Sequence, residues 1–354
     1  MRHAILPPVI AEQPWRVLLP LTLLVCFGAA VLFSAAGGSM QPYAASHLLR
    51  FAVFLTMALV ISYLPAELVR WAAYPAYAVV IVLLMLVEAL GQLGGGSQRW
   101  LNLGPIVLQP SELMKPGIVL VLASFYHSLP AGMIANWRTL LPPAVMIGFP
   151  MALVLLQPDL GTALAIAFGG TVVIFLAGVP GKWFAGAGVA AVVIAPLAYF
   201  FGLHDYQRRR VTTFLDPESD PLGSGYHITQ SKIAIGSGGI TGKGFGEGSQ
   251  SHLDYLPEPH TDFVFATMAE DWGLTVARRA PDRFSRLLAG GMTATIFFYA
   301  AINLMMVMGL APVVGIPLPF MSHGGSSMMT NMICIGSLMM VDRWSRRAVA
   351  PGFG

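Results

Sequence analysis

Charge is scarce in this sequence. Of 354 residues, 10% are Asp, Glu, Lys or Arg and 56% are hydrophobic, with a mean hydropathy of +0.69. Soluble domains carry about a quarter charged residues, so that class is excluded. Cysteine is scarcer still, with two residues. Cys26 and Cys334 both fall in apolar runs, where a buried thiol is expected and a disulfide framework is not. The net charge is +3 and no basic stripe interleaved with aromatics is present, which removes nucleic acid as an expected partner. A phosphate loop is missing too. The glycine-rich run from Gly236 to Gly248 contains Gly242-Lys243, but the required glycine five residues earlier is Ser237 and the required hydroxyl is Gly244, so no nucleotide is expected. His252, His260 and His323 show no metal-ligand spacing, which argues against zinc.

What is present is a succession of long apolar runs. Only helices and closed barrels satisfy the backbone in hydrocarbon, and uninterrupted runs favour helices. Spans are expected near 17–36, 47–64, 72–91, 113–130, 139–156, 160–178, 183–202, 287–311 and 324–341, giving an all-α integral membrane protein. The first run lacks a cleavage site and is read as a retained anchor. With the N-terminus inside, twelve of the 20 Lys and Arg fall in inner segments. Only Arg50, Arg99 and Lys115 fall in short outer ones, and five lie in the long loop 203–262. The positive-inside rule therefore puts both termini in the cytoplasm and that loop in the periplasm. An even number of crossings follows. The tenth must be 263–277, whose 15 residues reach only about 22 Å as a helix at 1.5 Å per residue. The expectation is one polytopic domain over 1–354 with about ten helices, nine of full length and one truncated near 263–277.

Polar residues gather on the outer side. Segment 92–112 joins a glycine-rich return to Arg99, Trp100 and a helix start at Pro110-Ser111-Glu112, with Lys115 one turn on. The structural reading of Glu112 and Lys115 is a capping acid and an i,i+3 ion pair; the functional one is a charged pair at the outer opening of a membrane cavity. Loop 203–262 carries Arg208-Arg209-Arg210, Gln230-Ser231-Lys232 and, in five residues, Glu258, His260 and Asp262. Asp262 precedes an apolar run and is either a helix cap or a functional carboxylate beside a cavity. Asp159 is read as an N-cap. The stretch 312–327 holds too much proline and glycine for a regular helix and is expected to line the site.

Several strings, in order along nearly the whole chain, resemble motifs of the SEDS (shape, elongation, division, sporulation) family. They are Gln109-Pro-Ser-Glu112-x-x-Lys115, Gln157-Pro-Asp-Leu-Gly-Thr162, Thr229-Gln-Ser-Lys-Ile-Ala-Ile-Gly236, Gly242-Lys-Gly244, Leu256-Pro-Glu-x-His-Thr-Asp-Phe263 and Gly315-Ile-Pro-Leu-Pro-Phe320 with Gly324-Gly-Ser-Ser327. The wording around Gln230 and Gly242 is closer to the rod-elongation branch than to the division branch. The resemblance implies a peptidoglycan glycosyltransferase of the bacterial inner membrane that polymerises lipid II on the periplasmic side. A class B penicillin-binding protein and the elongation machinery are the implied partners. It also implies ten spans, the eighth continuing past the acidic pair matching Glu270 and Asp271; here Trp272-Gly-Leu-Thr-Val-Ala277 runs straight into Arg278-Arg279. His323 stands where the family is expected to carry Tyr.

Under that resemblance Asp262 is expected to be the general base, or the ligand of a divalent cation such as Mg or Mn. Arg99, Lys115 and Lys232 are the cations expected to balance pyrophosphate charge, Glu112 would hold Lys115, and Glu258 would raise the basicity of Asp262. A lipid flippase predicts polar groups at the midplane of repeated discontinuous helices. These carboxylates instead sit at outer ends and no internal repeat is seen. A non-catalytic scaffold for the cross-linking partner is the third reading, strengthened by the short eighth span.

Overall fold

The computed structural model describes residues 13–90, 92–94, 97–102, 107–202, 208, 212, 272–308, 310–312, 316–322 and 324–349. Apolar runs become helices α1 (Trp15–Ala35), α2 (Tyr43–Ile61) and α3 (Ala66–Leu90). A small antiparallel sheet follows, β1 (Gln92–Gly94), β2 (Ser97–Asn102) and β3 (Val107–Leu108), with β2 in the middle. Then come α4 (Pro110–Ser128), α5 (Leu141–Leu156), α6 (Leu160–Leu176) and α7 (Gly181–Leu197). After the long loop, which lies outside the described residues apart from positions 208 and 212, residues 272–279 form α8. The chain closes with α9 (Arg283–Val307) and α10 (Gly325–Val349). Each of the nine expected full-length spans corresponds to one helix. Proline sets several starts: Pro42 precedes α2 and Pro110 opens α4, where a missing N–H costs no intrahelical bond.

Among the described residues, five segments are long and apolar enough to cross a bilayer: Trp15–Ser34, Tyr43–Ile61, Ala66–Ala89, Trp137–Leu156 and Arg283–Met306. α4 and α10 are more polar, and they sit at the centre. α10 packs mainly on α2, α9 and α4, while α4 packs on α3, α9 and α6. Most of their polar residues, among them Ser111, Glu112, Lys115, Ser326, Thr330 and Asn331, are buried, while their neighbours α2, α3 and α6 present residues such as Leu49, Val79 and Phe175 outward. In lipid there is no hydrophobic driving force between helices, so association relies on close packing, and glycines provide it. A side chain at Gly336 of α10 would begin 2.9 Å from the Ala58 Cα and carbonyl oxygen of α2. One at Gly291 of α9 would begin 2.5 Å from Val119 Cγ1 of α4 and 2.6 Å from Val173 Cγ2 of α6.

Long-range hydrogen bonds show which helix ends lie together. Arg283, at the start of α9, donates to Leu129 O (3.2 Å) just past α4 and to Ala177 O (3.0 Å) just past α6, closing two carbonyl-rich helix ends. Arg70 near the start of α3 lies 3.0 Å from His127 Nε2 near the end of α4, and Trp344 near the end of α10 donates to Leu64 O (3.1 Å) between α2 and α3. This is the arginine-rich end. At the other, loop-rich end, the Gln109 N–H before α4 donates to Ser326 Oγ at the start of α10 (3.3 Å). Alternation between these ends carries α7 to the loop-rich end, yet α9 starts at the arginine-rich end. The chain must cross once more between them, as the even count required.

α8 is the described part of that crossing. A Cβ at Gly273 would fall 2.0 Å from Thr293 Oγ1, so α8 lies directly against α9 and runs back along it from the turn at 280–282. Thr293 is about 15 Å along α9 from its start at 1.5 Å per residue. Phe297, one turn further, is 40% exposed. The described residues of α8 therefore lie along the arginine-side half of α9; residues 263–271, the rest of the segment expected to be truncated, lie outside the described residues.

The α2–α10 contact gives a test. Gly336→Val meets backbone rather than a flexible side chain, so it should cost about 1–3 kcal/mol by overpacking and lower the detergent melting temperature by several degrees. Gly186→Val in α7, where nothing lies within 4 Å, should leave it unchanged.

Candidate functional site

The buried polar groups of the loop-rich end converge on the first turns of α4. Gln109 is its N-cap residue in extended conformation, Pro110 opens the helix, and Glu112 falls in the first turn. Glu112 does not cap. The capping-box donor, the Gln109 N–H, is taken by Ser326 Oγ, and the Glu112 carboxylate turns inward instead. Its Oε1 accepts from Lys115 Nζ at 2.6 Å, while Oε2 accepts from the hydroxyl of Tyr299 on α9. Lys115 Nζ also donates to the Tyr299 oxygen and lies 4.1 Å from that ring's centroid. Relative exposures are 4% for Glu112, 1% for Lys115 and 0% for Tyr299. The i,i+3 pair expected from spacing is present, but as a fully enclosed three-member cluster linking α4 to α9.

Beside it, Asp159 caps α6 as expected, accepting from the Thr162 N–H (3.1 Å) and Thr162 Oγ1 (2.9 Å). The same carboxylate accepts from Gln109 Nε2 at 3.2 Å and lies 4.0 Å from an Arg99 Nη1. Arg99, on β2, donates to Gln157 O at 3.0 Å and to Pro158 O, carbonyls left over where α5 ends. Gln157 in turn donates to Leu84 O of α3 (3.1 Å). The sheet is thus clamped onto the α5–α6 turn through one guanidinium. The stretch after α9 is non-helical among its described residues, as its prolines and glycines required, and it leads back to Ser326.

The structure brings Glu112, Lys115, Arg99 and Asp159 to one end of the bundle. Asp262, Glu258 and Lys232, with His252, His260 and His323, lie outside the described residues. Among the described residues no group of three or more His, Cys, Asp or Glu could hold a metal ion. Cys26 is exposed and Cys334 buried, both as free thiols. Tyr299 is the member that sequence reasoning missed. It sits in the apolar run Phe297-Phe298-Tyr299-Ala300, where only its single hydroxyl marks it out.

A multi-span helical bundle, with a buried charged cluster at the end where the described chain between α9 and α10 is non-helical, defines a polytopic integral membrane protein. The family model FTSW_RODA_SPOVE, described as "Cell cycle protein", matches residues 14–275 and 273–347, and the chain belongs to that family. It is 41% identical to the peptidoglycan glycosyltransferase MrdB of Escherichia coli K12 over 362 aligned positions, covering 93% of each chain. It is 36% identical to the stage V sporulation protein E of Bacillus subtilis over 288 positions, 75% of this chain and 77% of that one. A chain from a peptidoglycan synthase complex, described as coordinating polymerization and crosslinking, superposes with a TM-score of 0.78 at 31% identity over 94% of this chain and 98% of that one. The rod shape determining protein RodA of Thermus thermophilus gives 0.67 at 25% identity, covering 94% and 97%. The family match restarts at 273 after running to 275, inside α8, and the 362 aligned positions exceed the 354 residues of the chain. Both fit a chain shortened at α8.

The cluster makes its own prediction. Removing one partner of a buried pair leaves an uncompensated charge, worth about 3–5 kcal/mol, whereas removing both is often near neutral. Glu112→Ala should therefore lower the melting temperature sharply, and Glu112→Ala with Lys115→Met should recover most of the loss. Additive losses would show that the two groups do not act as a pair.

Proposed function

We propose that this chain is a peptidoglycan glycosyltransferase of the rod-elongation type in the bacterial inner membrane, and that it polymerises lipid II. The observation that carries this is its family membership over nearly its whole length, joined to 41% identity with a protein named for that activity. The arginine-rich end, with both chain termini, is the cytoplasmic one by the positive-inside rule, so the loop-rich end faces the periplasm where the lipid-linked sugar is presented. The synthase complex to which the fold is similar supports a class B penicillin-binding protein as partner, within the elongation machinery.

Glycosyl transfer joins an acceptor sugar hydroxyl to the donor anomeric carbon. The new C–O bond forms as the bond to the pyrophosphate breaks, polyprenyl pyrophosphate departs, and the hydroxyl proton needs a base. Asp262 is assigned that role, with Glu258 raising its basicity; the alternative is that Asp262 holds a divalent cation, Mg or Mn, which would supply charge stabilisation to the pyrophosphate. Lys232 is assigned to the pyrophosphate directly. Arg99 and Lys115 have protein partners, so their assigned contribution is positional: Lys115 with Glu112 and Tyr299 fixes α4 to α9, and Arg99 fixes the sheet to the turn between α5 and α6.

Asp262→Ala in the purified full chain should keep the melting temperature and reduce glycan polymer from lipid II by about 10²-fold or more, the usual worth of a general base. Undiminished polymer would remove Asp262 from the chemistry. The shortened α8 favours one second reading, a non-catalytic scaffold. That reading predicts no polymer from this chain alone and polymer once a full-length eighth helix is restored.

A further inference from the structure

α2 and α10 share the broadest helix contact among the described elements. At its loop-rich end, two α2 side chains one turn apart meet the segment leading into α10. His47 is 1% exposed, and its Nε2 lies 3.1 Å from the Phe320 carbonyl oxygen. A carbonyl only accepts, so Nε2 carries the proton and donates it. Arg50, three residues on, lies with its Nε 3.5 Å from where a side chain at Gly325 would begin.

The segment they meet is held in an unfavourable shape. Phe320 has φ of +66°, in the left-handed region that a bulky L residue avoids, and such a conformation persists only where its surroundings fix it. Three elements do so. Gly28 of α1 lets the segment approach: a Cβ there would lie 3.2 Å from Met321 Cα, 3.3 Å from Phe320 O and 3.6 Å from His47 Nε2. Asn303 of α9 donates from Nδ2 to Ile316 O at 2.8 Å. Within the segment, the Leu318 N–H donates to Ser322 Oγ at 2.9 Å. Four residues after Ser322 comes Ser326, whose Oγ receives the Gln109 N–H; Gln109 also reaches Asp159, and its helix carries Glu112 and Lys115. Contacts and a short stretch of chain thus lead from His47 to the charged cluster.

We propose that His47 is a positioning residue for glycosyl transfer: its imidazole N–H fixes the Phe320 carbonyl, and through it the register of the first turn of α10 against Gln109 and the cluster on α4. This rests on the reading of the chain as a peptidoglycan glycosyltransferase. His47 touches neither Glu112 nor Lys115 in this arrangement and acts through backbone. With the donor removed, a buried carbonyl loses one of the contacts that hold Phe320 in its left-handed conformation, and segment 316–322 relaxes more readily away from the α4 N-terminus.

The test compares His47→Phe, which fills the space without a donor, with His47→Gln, which keeps one, in the purified full chain. Two measurements are made: hydrogen exchange of peptides covering 316–327, and initial rates of polymer formation over a range of lipid II concentrations. His47→Phe should speed exchange in 316–327 and lower kcat by about tenfold, the order expected for one buried hydrogen bond, with KM little changed. His47→Gln should restore both toward wild type, and the melting temperatures of all three should agree within a few degrees. Unchanged exchange in His47→Phe overturns the contact, whether or not the chain polymerises. Faster exchange with unchanged kcat, or a loss not rescued by His47→Gln, overturns the positioning role. A wild-type chain that makes no polymer overturns the enzymatic reading and the catalytic role of His47 with it, while the exchange data still report separately on the contact.

Discussion

Glu112, Lys115 and Tyr299 form the interaction on which the loop-rich end depends. A carboxylate and an ammonium cannot stand alone in a bundle whose outer surface is hydrocarbon, since desolvation of each costs more than most packing returns. Here they neutralise each other, and the phenol completes the set by donating to one and accepting from the other. The consequence is geometric. The first turns of α4 are fixed to α9, which fixes Gln109, through which the α6 cap at Asp159 and the α10 start at Ser326 are tied to the same point. Four helices are registered by side chains that a lipid-facing surface could not accommodate.

Much of this was legible in the sequence, for reasons that differ residue by residue. The nine full-length spans were readable because hydrocarbon thickness imposes a minimum apolar length, and each run stands out against the sparse charges. Helix starts were less sharp: α2 begins at Tyr43, just after Pro42, rather than at 47, because hydropathy does not register where a proline lets a helix open. Asp159 could be read as a cap since Asp-Leu-Gly-Thr carries its own donor three residues on. Glu112 and Lys115 could be paired by spacing, but not the direction in which the pair turns, which is decided by Ser326 occupying the capping donor from 214 residues further along the chain than Glu112.

Tyr299 was illegible because its partner lies 187 residues away and nothing in an aromatic run distinguishes a phenol with a buried acceptor from one at the lipid interface. The Arg99 clamp was hidden for a related reason. An exposed-looking arginine beside a glycine-rich return reads as a ligand for an anion, whereas it meets the carbonyls that end α5. The even number of crossings, by contrast, followed from charge counting alone. α8, whose described residues lie against the first half of α9, falls at the place where the family match is interrupted.

For glycosyl transfer the loop-rich end must face the periplasm, because a lipid-linked sugar donor is presented only there. The most direct measurement is labelling of single cysteines by a membrane-impermeant maleimide in intact cells, in a Cys26→Ser background that leaves buried Cys334 in place. Ser39→Cys, in the exposed turn between α1 and α2 at the loop-rich end, should react before permeabilisation, and Gly132→Cys, exposed at the arginine-rich end, only after it. The reverse pattern would contradict the account.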